Sequence, residues 1–125
     1  MKIVEAINAM ISSRRLITSV IPRYAGNGNE TFFIFDDKYK WSIIKSENDY
    51  AVFYYPGNQS LEELASMSDY DWQEFSEMVR YSSKDLGAKE VRDSFEELHR
   101  IVQERKFGIE DVLDDIISKA DWNEP

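Results

Sequence analysis

Histidine chemistry in this chain depends on one residue, His99, because no other histidine occurs. A single histidine excludes a two-histidine metal site, and the absence of cysteine excludes thiolate nucleophiles and zinc–thiolate sites. Glu96 and His99 have the Glu-x-x-His spacing of di-iron bundles, but those sites need a second copy of the motif, which the chain lacks. We therefore expect His99 to lie on the solvated polar face of a helix, and we expect the protein not to be an enzyme.

Carboxylates are abundant, and two groups of them recur at helical spacing: Asp71, Glu74 and Glu77, then Asp111, Asp114 and Asp115. Neither group has the spaced oxygen ligands and the glycine of a calcium loop. Acidic clusters on amphipathic helices are normally solvated faces, so we expect no metal and no cofactor. Paired glycosidase carboxylates are also disfavoured, because so small a domain lacks the usual substrate cleft.

Arginines near a glycine-rich loop suggest one binding site. Arginine forks and loop amides are groups that bind phosphate, although residues 26–29 lack the P-loop pattern. A nucleotide base would stack on a nearby aromatic ring. This alternative hypothesis is a small-ligand module for an anionic nucleotide or metabolite, with these binding residues: Arg14, Arg15, Arg23, Tyr24 and Trp41.

Charge is distributed unevenly along the chain. Residues 1–57 carry seven Lys or Arg and six Asp or Glu, a net of +1, whereas residues 58–125 carry eight and eighteen, a net of −10. The total of −9 repels nucleic acid, whose binding depends on cation contacts, and attracts basic proteins. Acidic charge steers such an encounter and aromatic side chains hold it.

The preferred hypothesis is a non-catalytic, acidic binding or inhibitor protein that captures a basic macromolecular partner, of the immunity, anti-defence or chaperone type. The expected contact residues are Tyr70, Trp72, Glu74, Glu77, Asp111, Asp114 and Asp115. No run approaches the roughly 18 apolar residues of a membrane span, and the N-terminus does not resemble a signal peptide. We therefore expect a cytoplasmic protein that binds neither membranes nor nucleic acid directly.

The order of the helices and strands that must position these residues indicates a single α+β domain over residues 1–125. Apolar spacing predicts an N-terminal helix over residues 2–14. β-Branched and aromatic segments with short turns predict a four-stranded antiparallel meander over residues 16–21, 31–35, 40–45 and 50–55. A C-terminal layer of three to four helices follows, including one from Ser68 to about Leu86 and one centred on Phe95 and Leu98.

Both faces of the predicted sheet are apolar. Alternation places Phe33, Trp41 and Ile43 with Phe53 and Tyr55 on one face. An antiparallel sheet with one wet face alternates apolar and polar residues, and this one does not. Three arrangements would explain this pattern: helices of the chain cover both faces, a second chain covers one face, or an aromatic face binds a ligand. We expect a homodimer.

Overall fold

The computed structural model describes residues 1–24 and 29–122, which form an α+β fold. The helices are α1 (Lys2–Ser12), α2 (Leu61–Ala65), α3 (Asp69–Glu74), α4 (Ser83–Leu86), α5 (Lys89–Phe107) and α6 (Ile109–Trp122). The strands are β1 (Ile17–Pro22), β2 (Glu30–Phe35), β3 (Tyr39–Ser46), β4 (Asp49–Tyr55) and β5 (Val79–Ser82). A 3₁₀ turn, Arg14–Leu16, joins α1 to β1.

The strands form one antiparallel sheet in the order β1-β2-β3-β4-β5, so the predicted meander is confirmed and gains a fifth strand. The turn between β2 and β3 places Asp36 and Asp37 at φ of 55° and 59°, a left-handed conformation that aspartate tolerates better than most residues. Strand β1 is irregular between Thr18 and Ile21, where Ser19 also has a positive φ.

Strand β5 corrects the predicted long helix after Ser68. Helix α3 ends at Glu74, and Phe75 already has extended backbone angles. Val79 and Tyr81 then pair with β4, opposite Tyr54 and Val52. Alternating β-branched and aromatic residues favour a strand, and the strand satisfies the β4 edge that a helix would leave unpaired.

Asp49 joins β4 to the elements that replace the predicted helix. Its carboxylate accepts hydrogen bonds from Ser82 Oγ at 2.7 Å, Ser83 Oγ at 2.8 Å and the Lys84 backbone N–H at 2.9 Å. The side chain therefore fixes the start of α4 against the start of β4.

Helices cover both faces of the sheet. Helices α1 and α5 pack on the face of Phe33, Ile43 and Val52, whereas α2 and α3 pack on the face of Phe32 and Phe53. The helices after the meander therefore form no single layer. The sheet needs no second chain to cover it, so the argument that predicted a homodimer loses its premise.

The predicted faces are wrong for β4. Cross-strand pairing places Ile43 opposite Val52, and Ser42 opposite Phe53. Phe53 and Tyr55 therefore lie on the face opposite to Ile43. The tight turn between Ser46 and Asp49 sets this register, and a one-residue difference in phase moves every side chain of a strand to the other face.

Candidate partner-binding surface on helix α6

Helix α6 leaves its apolar side uncovered. It begins directly after Gly108, whose left-handed φ of 63° ends α5 and turns the chain. All side chains from residue 111 to residue 120 are exposed. The aliphatic residues among them retain 47–59% of their accessible surface: Val112, Leu113, Ile116 and Ile117. A contiguous exposed patch of this kind is typical of an interaction surface.

Helix α5 also carries an apolar stripe, but that stripe is buried. Val91, Phe95, Leu98 and Val102 are at most 1% exposed, because α1 and the sheet pack against them. Helix α6 has α5 as its main neighbour. Both helices are amphipathic in the sequence, so only the tertiary structure shows which stripe is free.

The predicted acidic residues Asp111, Asp114 and Asp115 lie on this same helix. At about 100° per residue, Asp114 and Asp115 fall at opposite borders of the aliphatic stripe, with Asp111 between them on the polar side. Asp115 also forms an i,i+4 ion pair with Lys119 at 2.9 Å. The structure thus combines one half of the predicted contact set with an apolar surface.

The other half of the predicted contact set lies on a different layer. Tyr70 is 73% exposed, and Glu74 and Glu77 are exposed as well. Trp72 instead points inward, where its ring stacks on Phe75 with centroids 5.8 Å apart. Helix α3 packs on the sheet face opposite to α5, the helix from which α6 continues, so these residues lie away from α6.

Arg23, one residue of the alternative anion site, makes contacts within the fold. The Arg23 side chain is only 10% exposed, and its guanidinium lies 3.1 Å from an Asp69 carboxylate oxygen and 3.6 Å from one of Glu30. It also lies over the Trp72 ring, 4.9 Å from the centroid. Arg23 is therefore held among acidic and aromatic groups rather than presented to a ligand.

The remaining residues of that alternative site lie in other surroundings. Arg14 and Arg15 line a cavity of about 270 Å³ beside the end of α1. Tyr24 is exposed, and Trp41 packs against Tyr54 with ring centroids 5.0 Å apart. Residues 26–28 of the glycine-rich loop lie outside the described residues, so the structure shows no single constellation for this site.

A buried polar cluster escaped the sequence analysis. Glu30 is 2% exposed and its Oε2 accepts hydrogen bonds from Ser42 Oγ at 2.5 Å and Tyr55 OH at 3.1 Å. Burial raises the pKa of Glu30, although these two bonds and the Arg23 charge lower it. Ser42, a polar residue between Trp41 and Ile43 in β3, was the available signal. The cluster joins β2, β3 and β4 and is covered by the Trp72 and Phe75 rings, which pack on Tyr55.

His99 occupies a position different from the predicted solvated face. It is half-buried, and its ring lies 5.6 Å from that of Tyr50. Burial, and then the charge of Lys45, lower the pKa of His99. A cavity of about 690 Å³ beside it extends along α5 as far as Phe107 and Ile109, at the start of α6.

Within residues 1–24 and 29–122, no three His, Asp or Glu side chains converge as a metal site requires. None of the helices in the described part of the chain is long and apolar enough to cross a membrane. The chain matches no protein-family model, no curated protein and no solved structure.

Proposed function

We propose that this protein is a non-catalytic binding protein that captures a basic macromolecular partner through α6. The supporting observation is the exposed aliphatic stripe on a helix that carries five carboxylates and one lysine. An apolar stripe alone favours many partners. An apolar stripe with acidic borders favours a partner whose apolar groove is rimmed by lysine or arginine.

The recognition mode is that of a helix in a groove. Val112, Leu113, Ile116 and Ile117 have the i, i+1, i+4, i+5 spacing of one helix face, which serves as a row of anchors. Completing the burial of each half-exposed side chain contributes about 1 kcal/mol to binding. Border charges such as Asp114 and Asp115 act mainly on the association rate.

The acidic charge of α6 favours a basic protein over three other binding partners: a membrane surface, nucleic acid and a second copy of α6. Membrane-surface helices have basic polar faces, whereas this polar face would be repelled by anionic lipid. Nucleic acid is repelled for the same reason. Parallel or antiparallel pairing with α6 of a second copy would place two acidic helices side by side. A basic protein satisfies both the stripe and its charge.

Capture of this kind would give the protein an inhibitory role. A helix seated in a functional groove blocks that groove to other ligands, as expected of an immunity, anti-defence or chaperone protein. Tyr70, Glu74 and Glu77 remain exposed on the opposite layer. A large partner would reach them only around the edge of the sheet, so α6 is the primary contact.

Paired variants test this proposal. The partner is recovered from host extract on immobilised wild-type protein, identified and purified, and its binding kinetics are measured. Leu113→Ser with Ile117→Ser should weaken binding about 30-fold, mostly through faster dissociation, since two anchors of about 1 kcal/mol each are lost. Asp114→Ser with Asp115→Ser should slow association.

Glu74→Ser with Glu77→Ser is the matched control, because it removes the same charge from an exposed acidic segment on the other layer. This control should bind like the wild type. Loss of binding in the control, with normal binding by both α6 variants, would show that the α3 surface is the site and that the α6 proposal is wrong.

A further inference from the structure

We infer that a phosphate group binds in a niche where the end of α5 meets β2 and β3. The niche is a cavity of about 270 Å³ lined by Asn29, Thr31, Lys45, His99, Gln103 and Lys106. It is separate from the aliphatic stripe of α6 and from the arginines of the alternative site.

The floor of the niche is held by hydrogen bonds. Gln103 donates from Nε2 to Thr31 Oγ1 at 3.1 Å, and the same nitrogen lies 3.5 Å from His99 Nε2. Thr31 is buried, at 2% exposure. The imidazole and the amide are therefore positioned before any ligand arrives, which reduces the entropy lost on binding.

The two lysines give the niche its charge. Lys45 and Lys106 form no ion pair with any carboxylate in the described part of this acidic chain. Each ammonium instead lies near an aromatic ring, 6.0 Å from the Tyr50 centroid and 5.2 Å from the Phe107 centroid. Two unneutralised cations around one cavity favour an anion.

The neighbouring charges limit where that anion sits. Carboxylates of α5, including Glu96, Glu97 and Glu104, line the adjoining 690 Å³ cavity together with Arg100. Arg100 is paired with Glu97 and Glu104, so that wall is acidic overall. The lowered pKa of His99, which follows from burial and from Lys45, is consistent with positive potential on the niche side.

Phosphate is the anion whose geometry suits this set of donors. Its oxygens can accept from the two ammonium groups and from the Nε2–H of His99 once the imidazole is protonated, whereas a carboxylate has fewer acceptor positions. The phosphate is either free inorganic phosphate or part of a nucleotide. In the second case the attached group would extend into the adjoining cavity, against Tyr50 and Phe107.

His99 is the only histidine, so its imidazole NMR signals report on the niche without ambiguity. The wild-type protein is titrated with inorganic phosphate, with a nucleoside monophosphate and with acetate at equal ionic strength. Both phosphates should produce a saturable shift and raise the pKa of His99, because a nearby anion stabilises imidazolium. Acetate should produce a smaller effect. Tighter binding of the nucleotide would assign the phosphate to a nucleotide, and equal affinity would assign it to free phosphate.

Charge-removing variants complete the test. Lys45→Met with Lys106→Met should weaken phosphate binding at least about tenfold, since each charged hydrogen bond contributes on the order of that factor. Lys84→Met removes an exposed lysine from α4 and should bind like the wild type. The α6 variant Leu113→Ser with Ile117→Ser should also bind phosphate normally, which separates this inference from the proposed function.

Two results would overturn the inference. One is the absence of any saturable His99 shift at millimolar phosphate. The other is equal phosphate affinity in the wild type and the double lysine variant, which would show that binding occurs elsewhere.

Discussion

The guanidinium carbon of Arg23 lies 4.9 Å from the centroid of the Trp72 ring. Arg23 belongs to the predicted anion site and Trp72 to the predicted partner-binding set, yet the two residues are committed to one contact within the fold. The same guanidinium pairs with Glu30 and Asp69. Both side chains therefore stabilise the layer formed by α3 and the sheet.

Trp72→Ala should accordingly lower the free energy of unfolding without changing partner capture. The ring packs against Phe32 and Tyr55 as well as Phe75, so its removal should cost about 3 kcal/mol. Urea unfolding measures the loss, and binding is compared at equal folded concentration. A stability change below about 0.5 kcal/mol together with lost capture would place Trp72 in the interface instead.

Leu98 and Leu113 provide a matched pair of leucines on the two apolar stripes. Leu98 is fully buried on the inner face of α5, whereas Leu113 is half-exposed on α6. Leu98→Ala should cost about 2–5 kcal/mol, as should loss of the Phe95 ring, and Leu113→Ala should change stability by less than about 0.5 kcal/mol. Equal losses at the two leucines would mean that α6 packs against the domain in solution.

These two leucines also show how far the sequence predicts the structure. Apolar periodicity identifies both helices, because helical spacing is a local property of the chain. It does not reveal which stripe is buried, since that depends on α1 and the sheet being placed against α5. The sequence therefore predicted the acidic residues of this surface, Asp111, Asp114 and Asp115, but not the exposed aliphatic stripe beside them.

The segment from Phe75 to Tyr81 is a second feature that the sequence pattern does not predict. Its apolar residues are compatible with helical spacing, and the sequence offers no strong turn signal before Val79. The open edge of β4 selects the strand, and that edge exists only once the meander has formed. Asp49 accepts hydrogen bonds from Ser82 and Ser83, which lie 33 and 34 residues later in the chain. Its role was therefore not predictable from local pattern.

Glu30 should make the stability depend on pH. Burial raises its pKa above the ordinary 4.5, although hydrogen bonds from Ser42 and Tyr55 and the charge of Arg23 lower it. A carboxyl whose pKa is higher in the folded state binds its proton more tightly when folded. Its stabilising contribution is complete below the unfolded pKa and is lost as the pH rises through the folded pKa.

Relative to Glu30→Gln, the wild type should therefore gain stability as the pH falls from neutral towards about pH 5. Urea unfolding at several pH values measures the difference between the two proteins. Glu96→Gln, a change at an exposed position of α5, is the control for the general effect of removing one carboxylate. Parallel pH profiles of wild type and Glu30→Gln would contradict this role of Glu30.

Salt should separate capture of a basic partner from self-association. The acidic charge of α6 attracts a basic protein, so capture should weaken as salt screens that attraction. Pairing of two α6 helices brings like charges together, so any homodimer formed through α6 should become stronger with salt. Sedimentation velocity of the protein alone and with its partner, at low and high salt, measures both trends. Self-association that weakens with salt would require an interface other than α6.

Hydrogen–deuterium exchange of the wild-type protein with and without its purified basic partner tests the central claim most directly. The amides of Ile109–Trp122 lie in an exposed helix and should exchange quickly in the free protein. The partner should protect this helix strongly and leave Asp69–Glu74 and Arg14–Leu16 unchanged. Protection of either of those two segments, with α6 exchanging at its free rate, would contradict the proposal that α6 captures the partner.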